Sequence, residues 1–327
     1  MQPPRDRRPL WRSFSRVLRE EFGERVAKLM IDAGFTCPNR DGTKSRGGCT
    51  FCDAHGSGPG AAMRAESVSE QIEREIARAS GNRFGAKRYI AYFQAYTNTY
   101  APIDRLRQLY DTALARPEVV GLAIGTRADS VPDDVLDLIA EYSRRTYLWL
   151  ELGLQSTSNE TLRRINRRET VAQFIDAVER AHTRGIGVCA HVIFGFPWET
   201  HERMLEAVDL VAGLGVEGIK LHSLYLVPGT PLHDEVIRDG LPLLDQSAYA
   251  DFVADALERV PADTVIHRLT GDPPFGIPAI PEWTRDKTET LSRVESALRK
   301  RGTFQGSGYD AVRAARTVSQ YRNYDAA

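Results

Sequence analysis

The hydrophobic residues of the chain fall into two alternating patterns. Short, continuous apolar runs predict six buried strands, at residues 26–31, 88–93, 119–124, 147–152, 187–194 and 218–227. The segments between them carry apolar residues every three to four positions, which predicts amphipathic helices. Strands that alternate with helices form a parallel sheet, and right-handed crossovers let that sheet curl into a full or partial barrel. The predicted fold class is therefore α/β, with the loops after the strands forming the functional face.

Beyond residue 228 the alternation gives way to loops that contain Pro and Gly around a helical segment at 246–259. A short strand-like run at 264–269 and a charged helical segment at 283–301 follow, and the last residues show no clear apolar face. We therefore expect four segments: a basic N-terminal segment at 1–20, the barrel at 21–230, a small C-terminal α/β extension packed on the barrel at 231–302, and a flexible tail at 303–327.

The composition excludes a disordered chain and a disulfide scaffold. Hydrophobic residues make up 42% of the 327 positions, 43 basic residues nearly balance 44 acidic ones, and there are only four cysteines. No apolar run approaches the roughly 20 residues that cross a bilayer, and no segment resembles a signal peptide, so we predict a cytoplasmic protein with no membrane partner.

The charge is unevenly distributed along the chain. Residues 1–20 carry six Arg against two acidic residues, and residues 285–327 carry nine Lys or Arg against five. Basic terminal segments beside an acidic middle of the chain could bind and orient an anionic partner such as RNA. The simpler explanation is that Arg-rich termini are solvated surface.

Three of the four cysteines form a cluster that calls for a chemical explanation. Eleven residues separate Cys37 from Cys49, and two separate Cys49 from Cys52, an interval that lets two thiolates face one metal centre. Three cysteine ligands would leave one iron of a 4Fe–4S cluster open. A structural zinc site needs a fourth ligand, for which His55 is the only local candidate. Cys189 lies between Val188 and Ala190 in a strand and is predicted to be a core residue.

The cysteine loop resembles the cluster loop of the radical S-adenosylmethionine (SAM) enzymes. The segments Cys37-Pro-Asn-Arg-Asp-Gly-Thr-Lys and Gly47-Gly-Cys-Thr-Phe-Cys-Asp are similar to those of YhcC-like radical SAM proteins, in the branch that includes the elongator catalytic subunit. Further similar motifs follow in the expected order, including Glu151-Leu-Gly-Leu-Gln-Ser156, Gly195-Phe-Pro-Trp-Glu199 and His267-Arg-Leu-Thr-Gly271. The commonest loop of the superfamily has a shorter interval between its first two cysteines than this chain.

The resemblance implies a fold, a chemistry and a set of cofactors. The fold would be a partial (β/α)6 TIM-type barrel with the small C-terminal extension. Cys37, Cys49 and Cys52 would hold one 4Fe–4S cluster, and an electron from a flavodoxin- or ferredoxin-type donor would cleave SAM to a 5′-deoxyadenosyl radical that abstracts hydrogen from a substrate.

The resemblance also implies contacts to SAM. Gln94, Thr97 and Asn98 stand where the family binds the amino group, although the usual acidic residue is absent. Arg167 would bind the carboxylate. The remaining expected cofactor contacts are Phe51, Thr126, Gln155, Gly195, Pro197 and Val227, of which the last three would form the adenine slot.

The substrate hypotheses remain open at this level. RNA modification is the first, on the basis of the elongator-like loop and the basic ends, and a small-molecule or cofactor-biosynthetic substrate is the alternative. A non-catalytic zinc- or RNA-binding protein is the competing class. His191, His222 and His267, with Lys220 and Arg268, could face a polar substrate, or each histidine could be an ordinary core or surface residue.

Overall fold

The computed structural model describes residues 9–56, 66–81, 85–271, 273 and 276–322. The first eight and the last five residues of the charged termini lie outside this part of the chain. No helix in the described ranges combines the length and the apolar character needed to cross a bilayer.

One parallel sheet organises the molecule. Its strands follow each other in chain order: β1 (Val26–Ile31), β2 (Arg88–Phe93), β3 (Val119–Thr126), β4 (Tyr147–Gln155), β5 (Val188–Phe194), β6 (Gly218–Ser223) and β7 (Val265–Arg268). Each strand pairs in parallel with the next, so the sheet forms an open, curled half-barrel. The predicted α/β class and partial barrel are confirmed.

The strand count requires a correction, because the short strand expected in the C-terminal extension belongs to the barrel sheet. Val265 lies opposite Gly218 and Arg268 opposite Lys220, so β7 adds a seventh strand beside β6. The sequence suggested a separate strand because a run of four residues does not reveal which neighbour it pairs with.

Most of the helices cover the outside of the half-barrel, and α1 is an exception. The helices are α1 (Phe14–Phe22), α2 (Val68–Ser80), α3 (Ile103–Leu114), α4 (Asp133–Ser143), α5 (Asn159–Arg164), α6 (Val171–His182), α7 (His201–Gly213), α8 (Pro231–Asp239), α9 (Gln246–Arg259), α10 (Lys287–Arg301) and α11 (Ala311–Arg322). Ser67 and Thr170 begin α2 and α6 with capping boxes, in which each hydroxyl accepts from a backbone N–H three residues later. Their apolar faces pack on the sheet and form the main core.

A second, smaller core fills the inside of the half-barrel. Side chains alternate between the two faces of a strand, so Ile90, Ala123, Trp149 and Cys189 point inward and pack together. Cys189 has no exposed surface, as expected of a core residue.

The N-terminal helix packs on this inner core and contacts both edge strands, β1 and β7. Ser13 bridges to Ile266 beside β7, and Phe14 stacks on the His267 ring with centroids 4.0 Å apart. Phe14 and Leu18 are buried in the inner core. The basic segment expected at 1–20 is therefore not set apart from the barrel, since its second half packs inside it.

The C-terminal tail differs from the expectation of a flexible segment at 303–327. Residues 311–322 form α11, whose Ala314, Val318 and Tyr321 are buried against α7 and α6. The Tyr321 hydroxyl donates to Glu206 Oε2 at 2.6 Å. Its buried residues recur at the ordinary helical interval of three to four, but several of its apolar residues are alanines that bury little surface, so the buried face became evident only in the packed structure.

Candidate active site

A cavity of about 520 Å³ opens where the loops leave the carboxyl ends of the strands. Its lining includes residues that follow β1, β2, β3, β4 and β6, and residues inside the half-barrel. Loops at this end of a parallel barrel are the usual place of an active site. Of the expected site residues, the cavity is lined by Cys37, Cys49, Cys52, Phe51, Gln94, Thr97, Thr126, Gln155 and Arg167.

The three clustered cysteines lie together on one side of this cavity. Cys49 is buried, whereas Cys37 and Cys52 are partly exposed. The Asn39 amide Nδ2 lies 3.6 Å from Cys49 Sγ, within reach of a weak hydrogen bond to sulfur. Arg40 Nη2 donates to the backbone carbonyl of Cys52 at 3.0 Å. The loop therefore brings a hydrogen-bond donor and a positive charge close to the thiols.

Contacts from the segment after β4 fix the cysteine loop. Asn166 adopts a left-handed backbone conformation with φ of 53°, and its Nδ2 donates to the Gly48 carbonyl at 2.8 Å. The Thr50 amide donates to the Ile165 carbonyl at 2.9 Å. Gly48 is itself constrained, because an added Cβ would lie 2.7 Å from Arg40 Nε. Sequence reasoning did not single out Asn39, although it lies within the loop motif.

The arrangement of the thiols is compatible with an iron–sulfur cluster. All three line one cavity, although burial raises the pKa of the Cys52 thiol to about 11, so that iron would have to displace its proton. No three His, Cys, Asp or Glu side chains in the described ranges are grouped tightly enough to hold one metal ion. A four-iron cluster distributes its ligands over separate iron atoms, so this spacing does not conflict with a cluster.

Polar side chains after β2 and β3 line the next part of the cavity. Thr97 is fully buried, and its hydroxyl has no hydrogen-bond partner among the described residues. Thr126 Oγ1 lies 2.5 Å from Thr99 Oγ1. Asn98 is buried but lies outside the cavity lining, and its Nδ2 donates to the Gly125 carbonyl at 2.7 Å. Thr97 is therefore a lining residue with an unused polar atom, whereas Asn98 supports the loop.

Gln155 and Arg167 meet above the end of β4. Gln155 has a positive φ of 69°, and Arg167 Nη2 donates to the Gly153 carbonyl at 3.1 Å. Gly153 has no room for a side chain, because an added Cβ would lie 2.4 Å from Gln155 Nε2 and 2.8 Å from Arg167 Nη2. The missing Cβ lets both side chains occupy the same corner of the cavity.

A buried charge network holds Arg167 in place. Arg167 Nε lies 2.5 Å from Glu169 Oε2, and Arg127 lies 3.4 Å from the same oxygen. Arg127 also forms a bidentate pair with Asp129, at 2.9 and 2.8 Å. Burial opposes ionisation of Asp129, but Arg127 and Lys44 hold the pKa of its carboxyl at about 2. Sequence reasoning missed Asp129 and Glu169, because neither belongs to a motif and their partners are distant in sequence.

The residues expected to form an adenine slot do not line this cavity. Gly195, Pro197 and Val227 are absent from its lining, and the Gly195 amide instead donates to Met204 Sδ at 3.1 Å. Ile193 and Leu224 provide the apolar lining on that side.

The floor of the cavity carries a cluster of charges around Glu151, which sequence reasoning did not connect with the grouped His191, His222, Lys220 and Arg268. Glu151 has no exposed surface, and its carboxylate accepts from Lys28 Nζ at 2.8 Å and from Lys220 Nζ. His191 Nε2 lies 3.0 Å from Glu151 Oε2. His222 and Arg268 line the cavity nearby.

Burial dominates the ionisation of this cluster. It lowers the pKa of Lys220 to about 7 and that of His191 to about 4. Burial would raise the pKa of Glu151, but the ammonium groups of Lys220 and Lys28 hold it well below its ordinary value. Near neutral pH the floor thus contains an ionised carboxylate and neutral imidazoles.

Comparison with known families now explains the clustered thiols. A family model described as the radical SAM superfamily matches residues 37–234, and one described as the radical SAM C-terminal domain matches 216–300. The chain belongs to the radical SAM superfamily. Members of this superfamily are enzymes, and family neighbours bind a 4Fe–4S cluster and SAM.

Known relatives agree with this membership. The chain is 43% identical to the uncharacterized protein YtqA of Bacillus subtilis, over 90% of this chain and 91% of that protein. It is 38% identical to protein YhcC of Escherichia coli, over 90% and 94% of the two chains. A more distant match is a tRNA-2-methylthio-N(6)-dimethylallyladenosine synthase of Fusobacterium nucleatum, 24% identical over 64% of this chain and 46% of that protein.

A solved structure shares the fold. The Elp3 protein of the archaeon Methanocaldococcus infernus superposes with a TM-score of 0.59 at 15% identity, over 86% of this chain and 64% of that chain.

Proposed function

We propose that this chain is a radical SAM enzyme that holds one 4Fe–4S cluster through Cys37, Cys49 and Cys52. When bound, the cluster supplies the electron that cleaves SAM to a 5′-deoxyadenosyl radical, which abstracts hydrogen from the substrate. The observation that carries the proposal is the meeting of the three thiols with Arg167 on one cavity. A flavodoxin- or ferredoxin-type protein is the proposed electron donor, and a cytoplasmic location follows from the need for reduced thiols.

The protein's own residues bind and orient SAM in this proposal. Arg167 attracts the carboxylate, and Glu169 keeps its guanidinium in one position. The unpartnered Thr97 hydroxyl accepts from the amino group, with Gln94 beside it. Thr126 and Gln155 offer further polar atoms, and Phe51 contributes an apolar surface. Ile193 and Leu224 replace Gly195, Pro197 and Val227 as the apolar side of the adenine site.

The proposal is tested with protein purified without oxygen. We expect about four iron and four sulfide per chain, and 5′-deoxyadenosine after reduction in the presence of SAM. Cys49→Ala should lose both the cluster and the product. Cys189→Ala is the matched control, because this thiol lies in the inner core and not on the cavity, so its iron content should equal that of the parent.

Metal analysis also separates the competing class. One zinc per chain and no sulfide, with 5′-deoxyadenosine absent, would contradict the proposed enzyme and support a structural zinc site completed by His55. SAM cleavage that survives Cys49→Ala would contradict the role of the triad.

Within this enzyme class, we propose RNA modification as the reaction on the substrate. It is supported by the basic sequence ends and by the similarity to the Fusobacterium synthase, whose name assigns it a tRNA product. A small-molecule substrate is the alternative.

A further inference from the structure

The inner end of the cavity contains polar groups that the proposed SAM contacts do not use. We name this region the barrel floor. It comprises Tyr92, Glu151, His191, Lys220, His222 and Arg268. These residues lie on strands β2, β4, β5, β6 and β7, so the rigid sheet sets their positions.

Glu151 is not available to a ligand. One of its oxygens accepts from Lys28 and the other contacts both Lys220 and His191. Lys220 Nζ also donates to the Tyr92 hydroxyl at 3.1 Å. The carboxylate is therefore a fixed counter-ion that holds the basic groups around it.

The barrel floor is mainly basic. Lys28, Lys220 and Arg268 all act electrostatically on the buried Cys189 thiol, as does the Glu151 carboxylate. These basic side chains outnumber the Glu151 carboxylate, so an anionic group bound at this end of the cavity would meet a basic surface.

Hydrogen-bonding groups at the floor also face the cavity. His191 and His222 both line it, with ring centroids 5.3 Å apart. His222 Nε2 is buried and has no hydrogen-bond partner among the described residues. Buried polar atoms are normally paired, so this nitrogen is available to hydrogen-bond a group that enters the cavity.

We propose that the barrel floor binds a carboxylate or phosphate group of a small-molecule substrate, with Arg268 and His222 as its contacts. Lys220 pairs with Glu151 and the Tyr92 hydroxyl beneath these contacts. The inference deepens the proposed function by naming the substrate class, and it rests on that function. A small molecule is favoured over RNA because Lys220, Tyr92 and Glu151 are almost completely buried, at a depth that a nucleic-acid backbone does not reach.

The proposal is tested by calorimetric titration of the cluster-loaded protein with SAM present. The probes are inorganic phosphate, succinate and a short single-stranded RNA. We expect phosphate or succinate to bind, and Arg268→Gln to weaken that binding about tenfold or more, since a charge-assisted contact is lost. Arg268→Lys should recover part of the affinity. Arg238→Gln is the control, because Arg238 pairs with Asp239 on the exposed surface of α8.

Each outcome has a defined meaning. Equal anion affinity in Arg268→Gln and the parent, or no binding of either anion, overturns the inference. Tight RNA binding that displaces the anion and is weakened by Arg268→Gln overturns it in favour of RNA. His222→Gln provides a second test if Arg268→Gln does not fold, and it should weaken anion binding as well. SAM cleavage without anion binding leaves the proposed function intact, whereas anion binding without SAM cleavage contradicts that function alone.

Discussion

Glu151 shows how one buried charge can organise a site. Its carboxylate has no contact with solvent, yet it stays ionised because Lys28 and Lys220 hold its pKa well below the ordinary value. A buried ion pair contributes little net stability when it is complete, but removing one partner leaves an uncompensated charge. The effect of a substitution here therefore comes mainly from the charges left behind.

Removing the charge of Glu151 should destabilise the protein. Glu151→Gln should lower the free energy of unfolding by about 3 kcal/mol, because Lys28 and Lys220 lose their counter-ion inside the barrel. Urea unfolding followed by circular dichroism measures the change. Adding Lys220→Met to the variant should restore part of the loss.

Glu141→Gln is the matched control for that experiment. Glu141 pairs with Arg107 on the exposed surface, where solvent screens the charges. A loss in Glu141→Gln as large as in Glu151→Gln would contradict the argument from burial.

At the scale of elements, α11 is attached to the barrel by close approach of backbones. Gly213, the last residue of α7, lies against the carbonyl of Ala314, and an added Cβ would lie 2.4 Å from that oxygen. Ala normally stabilises a helix relative to Gly by about 1 kcal/mol. Here the contact is with rigid backbone, so steric overlap should outweigh the helix propensity.

The prediction is that Gly213→Ala destabilises the protein by about 1 kcal/mol or more and makes α11 more sensitive to protease. Thermal unfolding and limited proteolysis provide the two measurements. Gly187→Ala is the control, because its added Cβ would meet only the Leu148 carbonyl, at 3.9 Å. Unchanged stability and cleavage in Gly213→Ala would show that α11 can shift without cost.

At the scale of the whole molecule, α1 links the N-terminus to the inside of the open barrel. His267 on β7 stacks on Phe14 and makes an edge contact with Trp149, with centroids 4.4 Å apart. Neither ring nitrogen of His267 has a hydrogen-bond partner among the described residues, and burial holds its pKa well below the ordinary value. The contact between α1 and β7 therefore requires the His267 imidazole to be neutral.

This requirement predicts a pH dependence of stability. Below about pH 6.5 the unfolded chain binds a proton at His267 that the folded chain does not, so the parent loses stability as the pH falls. His267→Phe removes this proton uptake. We compare the free energy of unfolding of the variant with that of the parent. As the pH is lowered from 8 to 5.5, this difference should shift by about 1 kcal/mol in favour of the variant, as measured by urea unfolding at both pH values.

His182→Asn should show the opposite sign. The hydrogen bond to Glu217 raises the pKa of His182, so its protonated form stabilises the folded chain at low pH. The variant should lose stability relative to the parent as the pH falls. The same pH response in both variants would rule out the assignment to individual histidines.

The sequence by itself determined the α/β class, the positions of the seven strands and the clustering of Cys37, Cys49 and Cys52, but not that the seventh strand joins the barrel sheet. These features depend on local apolar patterns and on short intervals, which are visible in one dimension. It also indicated correctly that Lys220 and His222 share a face, because side chains alternate along a strand.

Only the tertiary structure decided which distant residues meet. The pairing of β7 with β6, the burial of α11 and the charges around Glu151 all depend on contacts between residues far apart in sequence. It also placed Gly195, Pro197 and Val227 outside the cavity lining that their motif positions suggested. The physical reason is that a motif shows only which loop carries a residue. The packing of the whole sheet decides whether that residue faces the cavity.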